Sequence, residues 1–263
     1  MSTISSSNSS LPPEFVAWFN QRPQPDREAV DENGYPIFLD DSDGVPLETY
    51  WHAVQFPMLI EIINVHRRDR SDYFCGGNMF IYFSAEQARN KHYRGPDFFL
   101  VNNVPHEPMR RYWAVWKENF RYPDLIIELM SPTTRDEDLT TKFKIYEQTF
   151  PTREYVAYDP LNQELLAWRK VDGVFQPLEL DGNGRVFSEE ADLFIGTWRG
   201  PYQGYVDTWL RFFDRHGNVC PLYGELEEAK ADAAAKAAEA EKARADALAA
   251  EVARLKAQLQ NPA

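Results

Sequence analysis

Cysteine is almost absent from this chain: Cys75 and Cys220 are the only two in 263 residues. Two thiols cannot build a disulfide framework or a cysteine-based zinc site, so a reducing, cytoplasmic setting is the expectation. Also absent is any uninterrupted apolar run of about 18 residues, so neither a spanning helix nor a membrane partner is expected. The opening MSTISSSNSSLPPEF lacks the charged start and apolar core of a secretion signal and reads as a disordered lead-in. Positive charge is in deficit, with 28 Lys and Arg against 41 Asp and Glu, a net of −13. That disfavours a broad nucleic-acid-binding face. It does not exclude a nuclease, whose metal site must itself be acidic and whose phosphate contacts can be local. Aromatic residues, by contrast, are plentiful: 17 Phe, 13 Tyr and 7 Trp belong to a chain that can bury a full core.

Three stretches differ in composition. Residues 1–46 carry clusters of Ser, Pro, Asp and Gly and read as largely irregular. Within them Asp40, Asp41 and Asp43 before Gly44 superficially suggest a calcium loop, but Leu39 occupies the first ligand position, so a solvated turn is expected. Residues 47–224 alternate helical and strand patterns. The last stretch, 225–263, is different again. Residues 231–250 hold 12 alanines among Glu, Lys, Arg and Asp, with no Gly or Pro, which predicts a strong helix. Leu248, Val252, Leu255 and Leu259 follow at 4-3-4 spacing, the seam of a short coiled coil. Association with a second copy or a partner protein through 225–263 is the expectation, against the alternative of a solitary solvated helix.

Within 47–224 the spacing of Val54, Met58, Ile62 and Val65 predicts a helix from about Glu48 to His66. NMFIYF (78–83), GPDFFLV (95–101) and YPDLIIELMSP (122–132) predict three strands. SPTTRDEDLTTKFKIYEQTF predicts a helix with Thr134 and Glu137 at capping-box spacing and a buried stripe of Leu139, Phe143, Tyr146 and Phe150. REYVAYDP reads as a strand, and ELLAWRK and VFQPLEL as two more around a hairpin turn at Asp172-Gly173.

The chemistry concentrates in the third of these strands. Glu128 interrupts an apolar run, and a buried carboxylate is costly unless something pairs with it. Alternation puts Asp124, Ile126, Glu128 and Met130 on one face, but Asp124 and Glu128 then lie roughly 13 Å apart, at about 3.3 Å per residue. They cannot share one ion readily, so Asp124 is expected to be bonded locally at the start of the strand. Asp97, at the head of the preceding strand, is the better partner. Two such acids can converge on a hard divalent ion such as magnesium. Along the following helix Lys142 falls beside the apolar stripe and can reach inward, whereas Lys144 points away. A structural ion pair between Glu128 and Lys142, with Asp97 a turn acid, explains the same residues and stays open at this point.

GPDFFLV, then PDLIIELMSPTTRDEDLTTKFKIYEQ, then REYVAYDP, resembles the restriction-endonuclease-like Uma-two family of the PD-(D/E)XK nuclease superfamily, over roughly residues 45–200. The resemblance implies an α/β fold: a restriction-endonuclease-like core with a mixed central sheet flanked by helices in αβββαβ order, here followed by the coiled-coil helix. It implies a metal-dependent phosphodiesterase acting on DNA, with Asp97 and Glu128 as ligands of Mg2+ (or Mn2+). Lys142 would then be the basic residue that positions or activates the attacking water. The superfamily usually carries that lysine two residues after the acid, where this chain has Met130. Glu48 and His52 are candidate accessories near the metal or, alternatively, capping residues. Arg110, Arg111, Trp113 and Lys117 mix cations with aromatic faces and are candidate nucleic-acid contacts, or else a loop folded on the core or a dimer contact. His66, His92, His106 and His216 fall in no ligand spacing. The competing function is a catalytically inactive nuclease-fold protein that docks partners through its C-terminal helix.

Overall fold

The computed structural model describes residues 49–84 and 95–260, with side chains through Lys256. Segment 1–46, expected to be irregular with an acidic turn, lies outside the described residues, as do Glu48 and His92. Helix α1 (Tyr50–His66) starts where Thr49 adopts an extended conformation and its hydroxyl accepts the His52 amide. One face of α1 buries Met58, Leu59, Ile62 and Ile63.

Chain order continues through β1 (Tyr73–Gly76), β2 (Ile81–Tyr82), β3 (Phe98–Asn102), β4 (Trp113–Ala114) and β5 (Leu125–Leu129). A helical segment, α2, covers 135–149: Arg135–Glu137 is α-helical, and Asp138–Lys142 and Ile145–Thr149 are wound as π-helix. Then come β6 (Glu154–Asp159), β7 (Glu164–Val171), β8 (Val174–Pro177), β9 (Val186–Ser188), β10 (Leu193–Tyr202), β11 (Tyr205–Phe213) and α3 (Tyr223–Gln260). The main sheet is six-stranded and mixed, in the order β1-β3-β5-β6-β7-β8, with only β5 and β6 parallel. The Asp172-Gly173 turn joins β7 to β8 with both residues at positive φ, as the tight hairpin requires.

The strand expected at 78–83 is corrected by this topology. One edge strand of the main sheet is β1, which ends at Gly76, and only Ile81–Tyr82 of the expected run is extended, paired with β4 in a separate parallel two-stranded sheet. Gly77 explains the break. A Cβ there would stand 2.4 Å from the Asp97 carbonyl oxygen, so the chain can pass only without a side chain. Asn78 then turns at φ 48° and donates its amide to Pro96 O. The capping box at Thr134 is likewise not formed. Thr134 already has helical angles and makes no side-chain cap, while Ser131 Oγ accepts the amides of Thr133 and Thr134.

The alternation expected for β5 holds. Leu125, Ile127 and Leu129 pack with α1 and with the second, three-stranded sheet β11-β10-β9; Ile126 and Met130 pack with Tyr146 of α2 and with Phe150 just after it on the opposite face. The sheet therefore lies between two apolar layers. At the far end of the chain, buried Arg211 of β11 pairs with Glu225 at 2.8 Å, and Glu61 of α1 accepts the Tyr223 amide, fixing the first turn of α3. From Glu227 to Lys256 every residue of that helix is exposed, including Leu248, Val252 and Leu255. No helix among the described residues is long and apolar enough to cross a membrane.

Candidate active site

β3 runs antiparallel to β5 with Phe98 opposite Ile127, so the next pair outward sets Asp97 against Glu128. The two strands are stapled there: Leu129 N–H donates to Asp97 Oδ2 at 2.7 Å, and Asp97 N–H lies 3.4 Å from Glu128 Oε2. Glu128 has no exposure at all. It points to the α2 side of the sheet, where Lys142 Nζ stands 3.2 Å from its Oε2 and Tyr146 hydroxyl donates to its Oε1 at 2.8 Å. The same ammonium is 2.7 Å from Asp138 Oδ1. Asp138, Lys142 and Tyr146 are spaced four apart, a step that drifts around a helix of about 3.6 residues per turn. The wider π turns of α2 keep the three closer to one line.

Three carboxyl groups thus crowd one ammonium. Burial pushes Glu128 up to about 7, opposed by Lys142 and reinforced by Asp97. Burial pushes Asp97 up to about 6, and it does the same to Asp138, which Glu128 raises further. Burial works against the Lys142 charge, but Glu128 and Asp138 outweigh it and hold the group above the usual lysine range. The cluster carries more potential negative charge than one lysine neutralises, which is a setting that attracts a cation.

The remaining expected residues separate cleanly. Asp124 sits at the other end of β5, where its carboxylate accepts the Asn102 amide at 2.7 Å and pairs with Arg121, as a locally bonded acid. His52 is buried; its Nε2 donates to the Leu129 carbonyl at 2.9 Å and its Nδ1 is 2.7 Å from Thr49 Oγ1. It braces the strand just beyond Glu128 and does not present a nitrogen toward the carboxylates. Lys144 is exposed, as its helical angle requires. Met130 is buried in the core, and the cation beside Glu128 arrives from α2.

Two of the candidate nucleic-acid contacts are corrected. Trp113 has no exposure and donates its indole N–H to Arg121 O. Arg110 is spent on Glu118 and on the carbonyls of Pro105, His106 and Pro108, with its guanidinium over Phe74 and Trp113. The loop is folded on the core at these positions. Arg111 is exposed, and Lys117 is half-buried with its Nζ 3.0 Å from the Tyr112 hydroxyl. Asp138 went unnoticed in the sequence, although its place four residues before Lys142 is the spacing of a helical ion pair. Tyr146 was expected to be core; it is buried, and its hydroxyl also holds Glu128.

None of the curated proteins compared matches the chain. Among solved structures, a crystal structure of a putative nuclease belonging to DUF820 from Anabaena variabilis is 15% identical, covering 56% of this chain and 76% of that one with a TM-score of 0.42. That likeness is too distant to carry an argument. The family comparison is decisive: residues 43–199, more than half of the chain, match the family described as Uma2, putative restriction endonuclease. The chain belongs to the Uma2 family of restriction-endonuclease-like proteins.

Proposed function

We propose that this protein is a divalent-metal-dependent endonuclease that hydrolyses phosphodiester bonds of DNA. The observation that carries the reading is the convergence of Asp97, Glu128 and Lys142, from three separate segments, at one end of the central sheet. The donor chemistry suits a hard cation, since carboxylate oxygens are what magnesium and manganese prefer. Among the described residues no three His, Cys, Asp or Glu form a group that could hold a metal ion. An ion held by Asp97 and Glu128 would therefore keep several waters, as magnesium commonly does. When bound, such an ion would polarise a phosphoryl oxygen and lower the pKa of water.

Hydrolysis adds water across one P–O bond: the water oxygen bonds to phosphorus, the bond to a sugar oxygen breaks, and that oxygen takes up a proton. Lys142 is held charged, so it is suited to balance negative charge on phosphate and to orient water, and poorly suited to remove a proton. Tyr146 fixes the Glu128 carboxylate, and His52 braces the strand beside it. The exposed Leu248, Val252 and Leu255 of α3 support association with a second copy or a partner protein.

The test is purified protein incubated with plasmid DNA and magnesium or manganese, beside Asp97→Ala and Glu128→Ala. Each substitution is expected to lower cleavage by about a hundredfold. Cleavage that survives both would sink the proposed site.

A further inference from the structure

The two oxygens of Glu128 are engaged differently. Oε1 already accepts the Tyr146 hydroxyl at 2.8 Å, and Oε2 is the atom facing the Asp97 amide. Lys142 Nζ stands on that same Oε2, at 3.2 Å. The ammonium thus occupies the oxygen that an ion between Asp97 and Glu128 would need. Asp138 lies on its other side, closer at 2.7 Å and almost without exposure. Asp138 is itself held: its amide donates to Thr134 O, and its carbonyl accepts the Tyr155 hydroxyl.

We propose that Asp138 is a positioning residue that draws Lys142 off Glu128 Oε2 when a divalent cation takes that oxygen. The ammonium then leaves the metal position but not the site, and remains beside the phosphate. Without Asp138 the displaced ammonium would be left, among the described acids acting on it, with only Asp97 and Glu128, the carboxylates that hold the cation, so cation and ammonium would compete for the same two groups. Lys142 is in this sense a resident substitute for the metal, and Asp138 is where it withdraws. The proposal rests on the metal-dependent reading above.

The experiment is magnesium binding at pH 8, read by calorimetry and by the shift in melting temperature, which needs no cleavage assay. Wild type is expected to bind and Glu128→Gln to bind much more weakly. Asp138→Asn should bind about tenfold more weakly than wild type, within the range of coupling between neighbouring sites. Asp138→Glu, which keeps a counter-ion, should retain most of the affinity. Lys142→Met should bind more tightly than wild type while cleaving less, and in that background Asp138→Asn should change affinity by no more than about twofold.

Equal affinity of Asp138→Asn and wild type would overturn the inference, as would an undiminished loss in the Lys142→Met background. If Asp138→Asn does not fold, Lys142→Met decides alone: tighter binding supports the withdrawal of Lys142, and equal or weaker binding refutes it. Absence of binding by wild type, or binding unaffected by Glu128→Gln, would remove the metal reading itself and the inference with it. The two failures are thereby told apart.

Discussion

At the scale of single residues, Glu128 sets the behaviour of its surroundings because it is an acid with no access to water. Its carboxyl is raised from 4.5 to about 7, so the folded chain holds that proton more tightly than the unfolded chain does. Raising the pH from about 4.5 through about 7 therefore withdraws stability from the metal-free protein. Glu128→Gln cannot ionise and escapes this share. Melting in the presence of a chelator should show the Glu128→Gln variant gaining on wild type between pH 5 and pH 8. A constant difference across that interval, or one that moves the other way, would contradict the burial argument. Glu128 could be singled out in the sequence because a lone acid in an apolar run has few explanations, and Lys142 because only one of two lysines fits the inward face of a helix. Asp138 was not legible in the same way. An acid in the first turn of a helix is accounted for by the helix dipole alone, and nothing local says that the turn closes over Glu128.

At the scale of elements, the starts of strands and helices were the least visible feature. Thr134 and Glu137 have capping-box spacing, yet spacing says nothing about backbone angles. Thr134 is helical, so the capping function falls to Ser131, three residues upstream. Ser131→Ala should accordingly cost about 1 kcal/mol of stability, the usual worth of such a cap. Urea unfolding should show a lower midpoint with an unchanged slope; an unchanged midpoint would mean that Ser131 holds no part of α2. The strand pattern at 78–83 failed for a related reason. Apolar alternation identifies a face but not a neighbour, and only the approach of Gly77 to the Asp97 carbonyl shows that the chain leaves the main sheet there. β5 was legible throughout because both of its faces are buried and one acid marks its register.

At the scale of the whole molecule, a six-stranded sheet between two apolar layers carries the candidate site, and α3 extends from the α1 side of that body. Composition alone foretold α3, since alanine-rich sequence is helical without help from packing. Its attachment through Arg211 and Glu225 could not be foreseen, because the partners lie 14 residues apart in a strand and a helix. Removing residues 231–263 leaves that ion pair and the Glu61 contact intact. The shortened protein should melt within about 2 °C of the full chain, since lost surface residues contribute little. A larger fall would show that the helix is held by more than its first turn.

A rod of 38 residues, at about 1.5 Å each, reaches roughly 57 Å from its anchored end. A compact body of the remaining described residues would be expected to span roughly 40 Å, and drag depends on length as well as mass. A single copy should therefore elute from a sizing column ahead of a sphere of its 30.5 kDa mass. Light scattering would weigh the particle correctly where the column misjudges it. Elution with and without residues 231–263 would then measure the rod directly, as friction.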